Sequence, residues 1–129
     1  HNPVAINALM RGMGSHVPYD SMICIFGCCE DKDVDTMLES LAIGGDKIIF
    51  TAAEDQARAV DPQELKKRFM DIRGKVCQTA RNIKQALEIA ASAASRDDLI
   101  CVTGSFYLVG ETKAHLESLQ QQRNRTAHS

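Results

Sequence analysis

The chain has 129 residues, of which 44% are hydrophobic and 25% are charged, so it can enclose a single hydrophobic core of ordinary size. Its formal net charge of −2 gives no electrostatic footprint for nucleic acid or an anionic membrane, and no apolar run is long enough to cross a bilayer. The five cysteines are an odd number, and Cys24 and Cys101 lie inside apolar runs, which indicates reduced thiols and a cytoplasmic protein.

The first part of the chain predicts a helix followed by a strand. Ala5, Leu9 and Met13 recur at helical spacing, so we expect a helix over residues 4–13. Residues 22–26 form a continuous apolar run, which is typical of a strand that is covered on both faces.

The middle of the chain continues with a helix, a strand, a loop and a second helix. Asp33 is placed to cap a helix that stops at Gly44-Gly45, and residues 47–51 predict the next strand. Residues 52–60 have no apolar period and predict a loop. Asp61-Pro62-Gln63-Glu64 then predicts a helix start, because Asp caps, Pro suits the first helical position and Glu suits the third.

The last part of the chain predicts the same alternation again. Residues 75–79 predict a short strand, and residues 82–94 predict a helix that opens on a capping pair. A second continuous apolar run predicts a strand at 99–103, and a helix is expected over 106–120. The remaining residues, 120–129, are polar and predict a disordered tail.

Strands that alternate with helices predict an α/β fold, a Rossmann-like three-layer domain with a mostly parallel sheet. We assign residues 1–119 to this domain and residues 120–129 to the tail. In open sheets of this kind, ligands sit outside the carboxyl ends of the strands, so the residues that follow the strands are the candidates for a site.

Polar side chains follow the predicted strands. Asp31, Lys32 and Asp33 come after the strand at 22–26, Arg58 lies in the loop after the third strand, and Ser105 follows the last strand. Lys32 and Arg58 could hold a carboxylate or a phosphate, and Ser105 could donate a hydrogen bond. The alternative interpretation of the same residues is a set of helix caps and surface charges.

Metal, nucleotide-loop and triad motifs are missing from the sequence. Adjacent Cys28 and Cys29 are poorly placed to chelate one zinc ion, and no CxxC motif or nearby histidine accompanies them. There is no GxxxxGK[ST] sequence, so no P-loop is expected, and no order of serine, histidine and aspartate suggests a catalytic triad. We therefore predict no metal site and five cysteines that are not oxidised.

Four motifs in a fixed order carry a resemblance to a known family. They are His1-Asn2-Pro3, Asp31-Lys32-Asp33, Arg58-Ala59 ahead of Asp61–Leu65, and Thr103–Glu111. Over about residues 1–115 the chain resembles the carboxy-terminal domain of folylpolyglutamate synthases and of the bifunctional dihydrofolate/folylpolyglutamate synthases, which belong to the Mur ligase superfamily.

The resemblance implies the carboxy-terminal domain of an ATP-dependent amide ligase that adds L-glutamate to folate or dihydropteroate. ATP and Mg would be bound mainly by an amino-terminal ATPase domain, a partner that is missing from this chain. His1 would be catalytic and face the cleft, while Lys32, Arg58 and Ser105, with Asp31 and Asp33, would contact glutamate or phosphate.

The resemblance also leads us to expect a piece of a larger protein. The chain begins with His1 rather than Met, and it lacks the aspartate and the first strand that precede this histidine in the family. We expect the piece alone to be inactive as a ligase, the protein to be a monomer, and neither nucleic acid nor a membrane to be a partner.

Two alternatives stay open at this point. One is the equivalent domain of a Mur ligase that acts on a peptidoglycan precursor, which the Ser105–Glu111 segment matches less well than it matches the folate branch. The other is a Rossmann-like binding module without chemistry of its own. The sequence does not decide whether the parent enzyme would make dihydrofolate, polyglutamate or both.

Overall fold

A computed structural model gives the fold and describes residues 4–6, 20–73 and 76–127. The elements in chain order are β1 (Val4–Ile6), β2 (Met22–Phe26), α1 (Val34–Gly44), β3 (Lys47–Phe50), α2 (Pro62–Arg73), β4 (Cys77–Thr79), α3 (Ile83–Ala93), β5 (Leu99–Thr103) and α4 (Phe106–Ala127). None of the helices in these ranges is long and apolar enough to span a membrane.

The strands form one parallel sheet in the order β1-β5-β2-β3-β4. The middle of the sheet is the pair of β2 and β5, in register from Met22 opposite Leu99 to Phe26 opposite Thr103. Because parallel strands in register end at the same edge, the residues after Phe26 and after Thr103 lie side by side. The predicted α/β fold with a parallel sheet is confirmed.

The sheet is covered on both faces, which makes the domain three layers thick. Met22, Cys24 and Phe26 of β2 face one layer, which α1 and α2 close with buried leucines and Phe69. Ile23 and Ile25 face the other layer, which α3 and α4 close with side chains that include Ala86, Ala90 and Leu108. Burial on both faces is the reason why the strand is apolar at every position rather than at every second one.

Local capping sets where the helices begin. The Asp33 carboxylate accepts from the Thr36 amide at 3.4 Å at the start of α1, and the Asn82 side chain accepts from the Gln85 amide at 2.9 Å at the start of α3. The Gln85 side chain reaches back and accepts from the Arg81 amide, one residue before the cap, at 2.7 Å. These helix starts are where the sequence predicted them.

The start of the chain differs from the prediction. Val4–Ile6 is a strand rather than the beginning of a helix, since its backbone pairs in parallel with Ile100–Val102 of β5. Valine and isoleucine suit a strand, and a partner so far away along the chain leaves no trace in local spacing. Residues 7–13 and His1 lie outside the described residues, and a missing first strand upstream of His1 stays a prediction.

The end of the chain differs as well. The tail expected to be disordered from Gln120 is the last part of α4 as far as Ala127, followed by two residues outside the described range. Its glutamines and arginines are good helix formers, and extending an existing helix avoids the cost of nucleation, so polarity alone does not stop it. Lys75, where the fourth strand was expected to begin, and Gly74 before it also lie outside the described residues.

Asp98 fastens the amino ends of the two central strands. Its carboxylate accepts from the Ser95 amide at 2.8 Å and from the Ser21 hydroxyl at 2.9 Å, and the residue is buried. The Ser95 amide, and after it the Ser21 hydroxyl, hold the pKa of Asp98 below its ordinary value. A carboxyl whose pKa is lower in the folded chain than in the unfolded chain stabilises the fold when it is ionised.

We expect Asp98→Asn to lower the urea midpoint of unfolding at pH 7, since one oxygen then has to serve both donors. The stabilisation by Asp98 is fully present above its unfolded-state pKa of about 3.9 and is lost as the pH falls through the lower folded-state value. Urea titrations from pH 7 to pH 3 should therefore show a constant gap between the variants that closes only below about pH 4. Exposed Asp97, mutated to Asn, is the control; a gap that is as large at pH 3 as at pH 7 would contradict this account.

Candidate functional site

The carboxyl edge of the sheet contains a close approach of two backbones. Gly27 follows β2 and Gly104 follows β5, and Gly104 has a φ of 112°, which only glycine adopts readily. A Cβ atom on Gly104 would overlap the Gly27 carbonyl oxygen and lie 2.8 Å from the Phe26 ring. A Cβ atom on Gly27 would lie 2.6 Å from the Thr51 carbonyl oxygen. Glycine at both positions therefore brings the strand ends together.

A pocket of about 550 Å³ opens beside these glycines. Three segments supply its walls: the loop after β2, the loop between β3 and α2, and the beginning of α4. The lining residues are Cys29, Asp31, Lys32, Gln56, Arg58, Gly104, Ser105, Phe106, Tyr107 and Val109.

Backbone hydrogen bonds join the two loops to each other. Cys29 and Ala59 form an antiparallel bridge, the Glu30 amide donates to the Arg58 carbonyl at 2.9 Å, and the Val60 amide donates to the Cys28 carbonyl at 2.9 Å. The two loops therefore form one continuous wall, and Lys32 and Arg58 are carried on it.

Four of the six residues predicted for the site line the pocket. Asp31, Lys32, Arg58 and Ser105 meet there although they are distant in sequence. Asp33 is not among the lining residues, because its carboxylate is used in capping α1, where it accepts from the Thr36 hydroxyl at 2.7 Å. His1 lies outside the described residues.

Ser105 is the N-cap of α4 and still has a donor to offer. Its hydroxyl oxygen accepts from the Tyr107 amide at 3.1 Å and from the Leu108 amide at 3.4 Å. Both of these bonds use the oxygen as an acceptor, so the hydroxyl hydrogen is available to a ligand oxygen in the pocket. The capping and binding interpretations of this serine are compatible.

Lys32 and Arg58 bring two positive charges to the pocket, which suits an anion. The Arg58 Nε atom lies 3.5 Å from a Glu30 carboxylate oxygen, and 64% of each side chain is exposed. An ion pair at that distance and exposure contributes little, so the guanidinium can turn toward an anionic ligand at small cost. Lys32 is exposed on the same wall and adds a second positive charge.

Gln56, Phe106 and Tyr107 are among the six lining residues that the sequence analysis did not assign to the site. The Gln56 side chain accepts from the Arg58 amide at 2.9 Å, and it lies in a loop whose sequence has no periodicity to interpret. Phe106 and Tyr107 are 84% and 55% exposed beside the pocket. They belong to the continuous apolar run Phe106–Val109, in which no periodicity separates exposed from buried positions, so the sequence carries no signal for them.

The adjacent cysteines in the first loop, Cys28 and Cys29, are buried and form no disulfide. Burial, with the neighbouring Cys29 as a smaller cause, raises the pKa of the Cys28 thiol to about 11. A thiol with that pKa is protonated at neutral pH and is a poor nucleophile and a poor ligand. Within the described ranges no group of three or more His, Cys, Asp or Glu side chains could hold a metal ion.

We expect native protein to react slowly with a thiol reagent at pH 7.5, with Cys77 the first to be modified because it is only half-buried. Unfolding should expose all five thiols, since no disulfide joins any of these cysteines in the structure. A time course with a chromogenic disulfide reagent measures both, and Cys77→Ser should remove the earliest phase. Fewer than five thiols after unfolding would overturn the prediction.

Comparisons with known proteins agree on one family. The model for the Mur ligase family, glutamate ligase domain, matches residues 1–106. A probable bifunctional folylpolyglutamate synthase/dihydropteroate synthase of Haloferax volcanii is 30% identical over 113 residues, which are 88% of this chain and 13% of that protein. The chain therefore spans a small part of that relative.

Solved structures show the same fold. E. coli FolC in complex with DHPP and ADP aligns with 91% of this chain and 28% of its own, with a TM-score of 0.75 at 22% identity. A bifunctional folylpolyglutamate synthase/dihydrofolate synthase with Mn, AMPPNP and L-glutamate bound aligns with 88% of this chain and 28% of its own, with a TM-score of 0.69 at 21% identity. At such identities the likeness shows the fold.

Proposed function

Because the chain belongs to the family of Mur ligase glutamate ligase domains, we propose that it is the carboxy-terminal domain of an ATP-dependent ligase that adds L-glutamate to folate or dihydropteroate. The observation that carries the proposal is the pocket at the sheet edge, where Lys32, Arg58 and Ser105 converge from three separate segments. The Haloferax relative, a probable folylpolyglutamate synthase, supports the folate branch.

The pocket suits an amino acid with two carboxylates. Lys32 and Arg58 can neutralise a carboxylate or a phosphate, and the Ser105 hydroxyl can donate to a carboxylate oxygen. In the proposed reaction the glutamate amine attacks an acyl phosphate of the folate side chain, an amide bond forms, and phosphate leaves. The contribution of this domain is to hold the glutamate and offset charge, which is most of what such a step requires of a protein.

The remaining parts of the machinery lie outside this domain in our proposal. We assign Mg and most of the ATP contacts to an amino-terminal ATPase domain of the same protein, as the resemblance implies. His1 stays a proposed catalytic residue at the cleft, and the domain assignment of residues 1–119 stays a prediction. The same holds for the monomeric state, the cytoplasmic location and the inactivity of the domain alone.

We expect Lys32→Ala in the intact ligase to raise the KM for glutamate by roughly 10- to 100-fold, as loss of a charge-assisted contact does. The value of kcat should change much less, since the lysine is proposed to bind glutamate in the ground state as well. Lys113→Ala, which removes an exposed lysine of α4, is the control. Steady-state kinetics with glutamate as the varied substrate measures the effect.

Ser105 needs a pair of variants because it also caps α4. Ser105→Ala should raise the KM for glutamate and cost about 0.5–2 kcal/mol of stability through the lost cap. Ser105→Asp keeps a good cap but places a negative charge against the carboxylates of glutamate, so it should raise the KM further with the stability retained. Wild-type KM values in both Lys32→Ala and Ser105→Asp would overturn the proposed site.

A further inference from the structure

Glu111 of α4 accepts hydrogen bonds from the loop between β3 and α2, which is remote in sequence. It thereby links this loop to the helix whose N-cap is Ser105. One of its carboxylate oxygens accepts from the Glu54 amide at 3.2 Å, and the other accepts from the Asp55 amide at 3.2 Å. Two consecutive backbone donors thus meet the two oxygens of a single carboxylate. The bonded groups are 57 and 56 residues apart in sequence, so this contact belongs to the tertiary structure.

The loop that is bonded to Glu111, between β3 and α2, also carries Gln56 and Arg58 into the pocket. On one side it is held by the bridge between Cys29 and Ala59 and by the hydrogen bond from the Glu30 amide to the Arg58 carbonyl. On the other side, the bonds from the amides of residues 54 and 55 to Glu111 hold it against α4. The loop therefore spans the pocket between two attachments, and Glu111 is the attachment on the α4 side.

We infer that Glu111 is a positioning residue for the ligand of this pocket. It sets the distance between the wall that carries Arg58 and the start of α4 that carries Ser105, so that both reach one anionic ligand group. The inference rests on the proposed function, because it assigns Glu111 a part in binding the glutamate substrate. Glu111 is not one of the lining residues and acts through the loop.

The expected rise in the KM for glutamate depends on the fraction of molecules in which the loop is held against α4. If the loop is held only part of the time, the apparent affinity falls by the fraction of molecules in the binding-competent arrangement. Loss of hydrogen bonds to a half-exposed carboxylate should lower that fraction enough to raise the KM for glutamate by roughly 3- to 10-fold, with little change in kcat.

For Glu111→Gln, the loss of negative charge and the loss of the attachment predict opposite changes in the KM for glutamate. The variant removes a negative charge near a pocket for an anion, which by itself would lower the KM for glutamate. It also replaces one of the two acceptor oxygens by an amide group that cannot accept from the Asp55 or Glu54 amide, which weakens the attachment and raises the KM. A rise in KM therefore distinguishes positioning from simple electrostatics.

The experiment combines a structural and a kinetic measurement on the intact ligase. Hydrogen exchange, read by mass spectrometry on a peptide that contains Glu54 and Asp55, reports the attachment without any reference to activity. Glutamate kinetics on Glu111→Gln and Glu111→Ala report its consequence. Glu117→Gln, an exposed glutamate further along the same helix, is the matched control, and the urea midpoint of each variant confirms folding.

We expect both Glu111 variants to exchange faster at residues 54 and 55 and to raise the KM for glutamate, while Glu117→Gln behaves like the wild type. Faster exchange with a wild-type KM, in an enzyme whose Lys32→Ala variant does raise the KM, would overturn the positioning role and leave the proposed function standing. Unchanged exchange in both variants would overturn the attachment itself. A wild-type KM in both Lys32→Ala and Ser105→Asp would remove the proposed site and the positioning role together.

Discussion

Gly104→Ala should destabilise the domain by roughly 2–6 kcal/mol, the sum of a strained backbone and an overpacked contact. The φ of 112° at this residue is unfavourable for any side chain. The added methyl group would also overlap the Gly27 carbonyl oxygen and press on the Phe26 ring, which is fully buried and cannot move aside. Denaturant unfolding followed by circular dichroism measures the loss, and any folded fraction should bind ligands poorly because the strand ends are forced apart.

Gly110→Ala is the matched control for this substitution. Gly110 lies within α4, and a Cβ atom there would meet no atom within 4 Å. Alanine in a helix is favoured over glycine by about 0.5–1 kcal/mol, so this variant should be slightly more stable than the wild type. The same chemical change is thus expected to have opposite signs at two positions six residues apart. Equal stabilities for the two variants would show that the close approach at the strand ends is absent.

Phe50→Ala should cost about 3–5 kcal/mol, the range for removing a buried phenylalanine. Phe50 is fully buried and is the middle ring of three, with its centroid 6.1 Å from that of Phe26 and 5.5 Å from that of Phe69, both in edge-on geometry. Its removal leaves a cavity between β2, β3 and α2 that these neighbours cannot fill. Urea unfolding at a single pH gives the difference directly.

The control for Phe50 is Phe106→Ala, because Phe106 is 84% exposed. Substitutions at such surface positions usually change stability by less than about 0.5 kcal/mol. A small loss at Phe50, comparable to that at Phe106, would mean that the aromatic cluster does not pack as described.

The elements that sequence reasoning found are those with a local cause. Two strands, Met22–Phe26 and Leu99–Thr103, are continuous apolar runs because they are buried on both faces. Such a run can be recognised in the sequence alone. Asp33 and Asn82 mark the starts of two helices in the sequence, because each caps its helix by accepting from the amide three positions later. Val4–Ile6 has no such local cause, since its strand exists through pairing with a segment near the other end of the chain.

The convergence of three lining residues at the pocket could be predicted from the order of strands and helices alone. Lys32, Arg58 and Ser105 follow strand ends, and a parallel sheet brings such residues to one edge. Asp33 is not among the residues that line the pocket, because its carboxylate caps α1, and a helix cap and a site residue look identical in sequence. The attachment between Glu111 and the amide of Glu54 could not be predicted, since backbone donors are present at every residue and carry no sequence signal.

The order of strands in the sheet has a consequence for how the chain folds. Asp98 and Ser21, beside the paired ends of β5 and β2, are 77 residues apart, so the middle of the sheet is closed by one of the last segments of the domain to leave the ribosome. Among the described residues, β5 is the strand that pairs with β1 and with one edge of β2, so these pairings wait until Leu99–Thr103 has emerged. Contacts of such long range are slow to form because the loop entropy must be overcome first. The pocket requires both central strand ends and the start of α4, so it cannot form until β5 and the start of α4 have been synthesised.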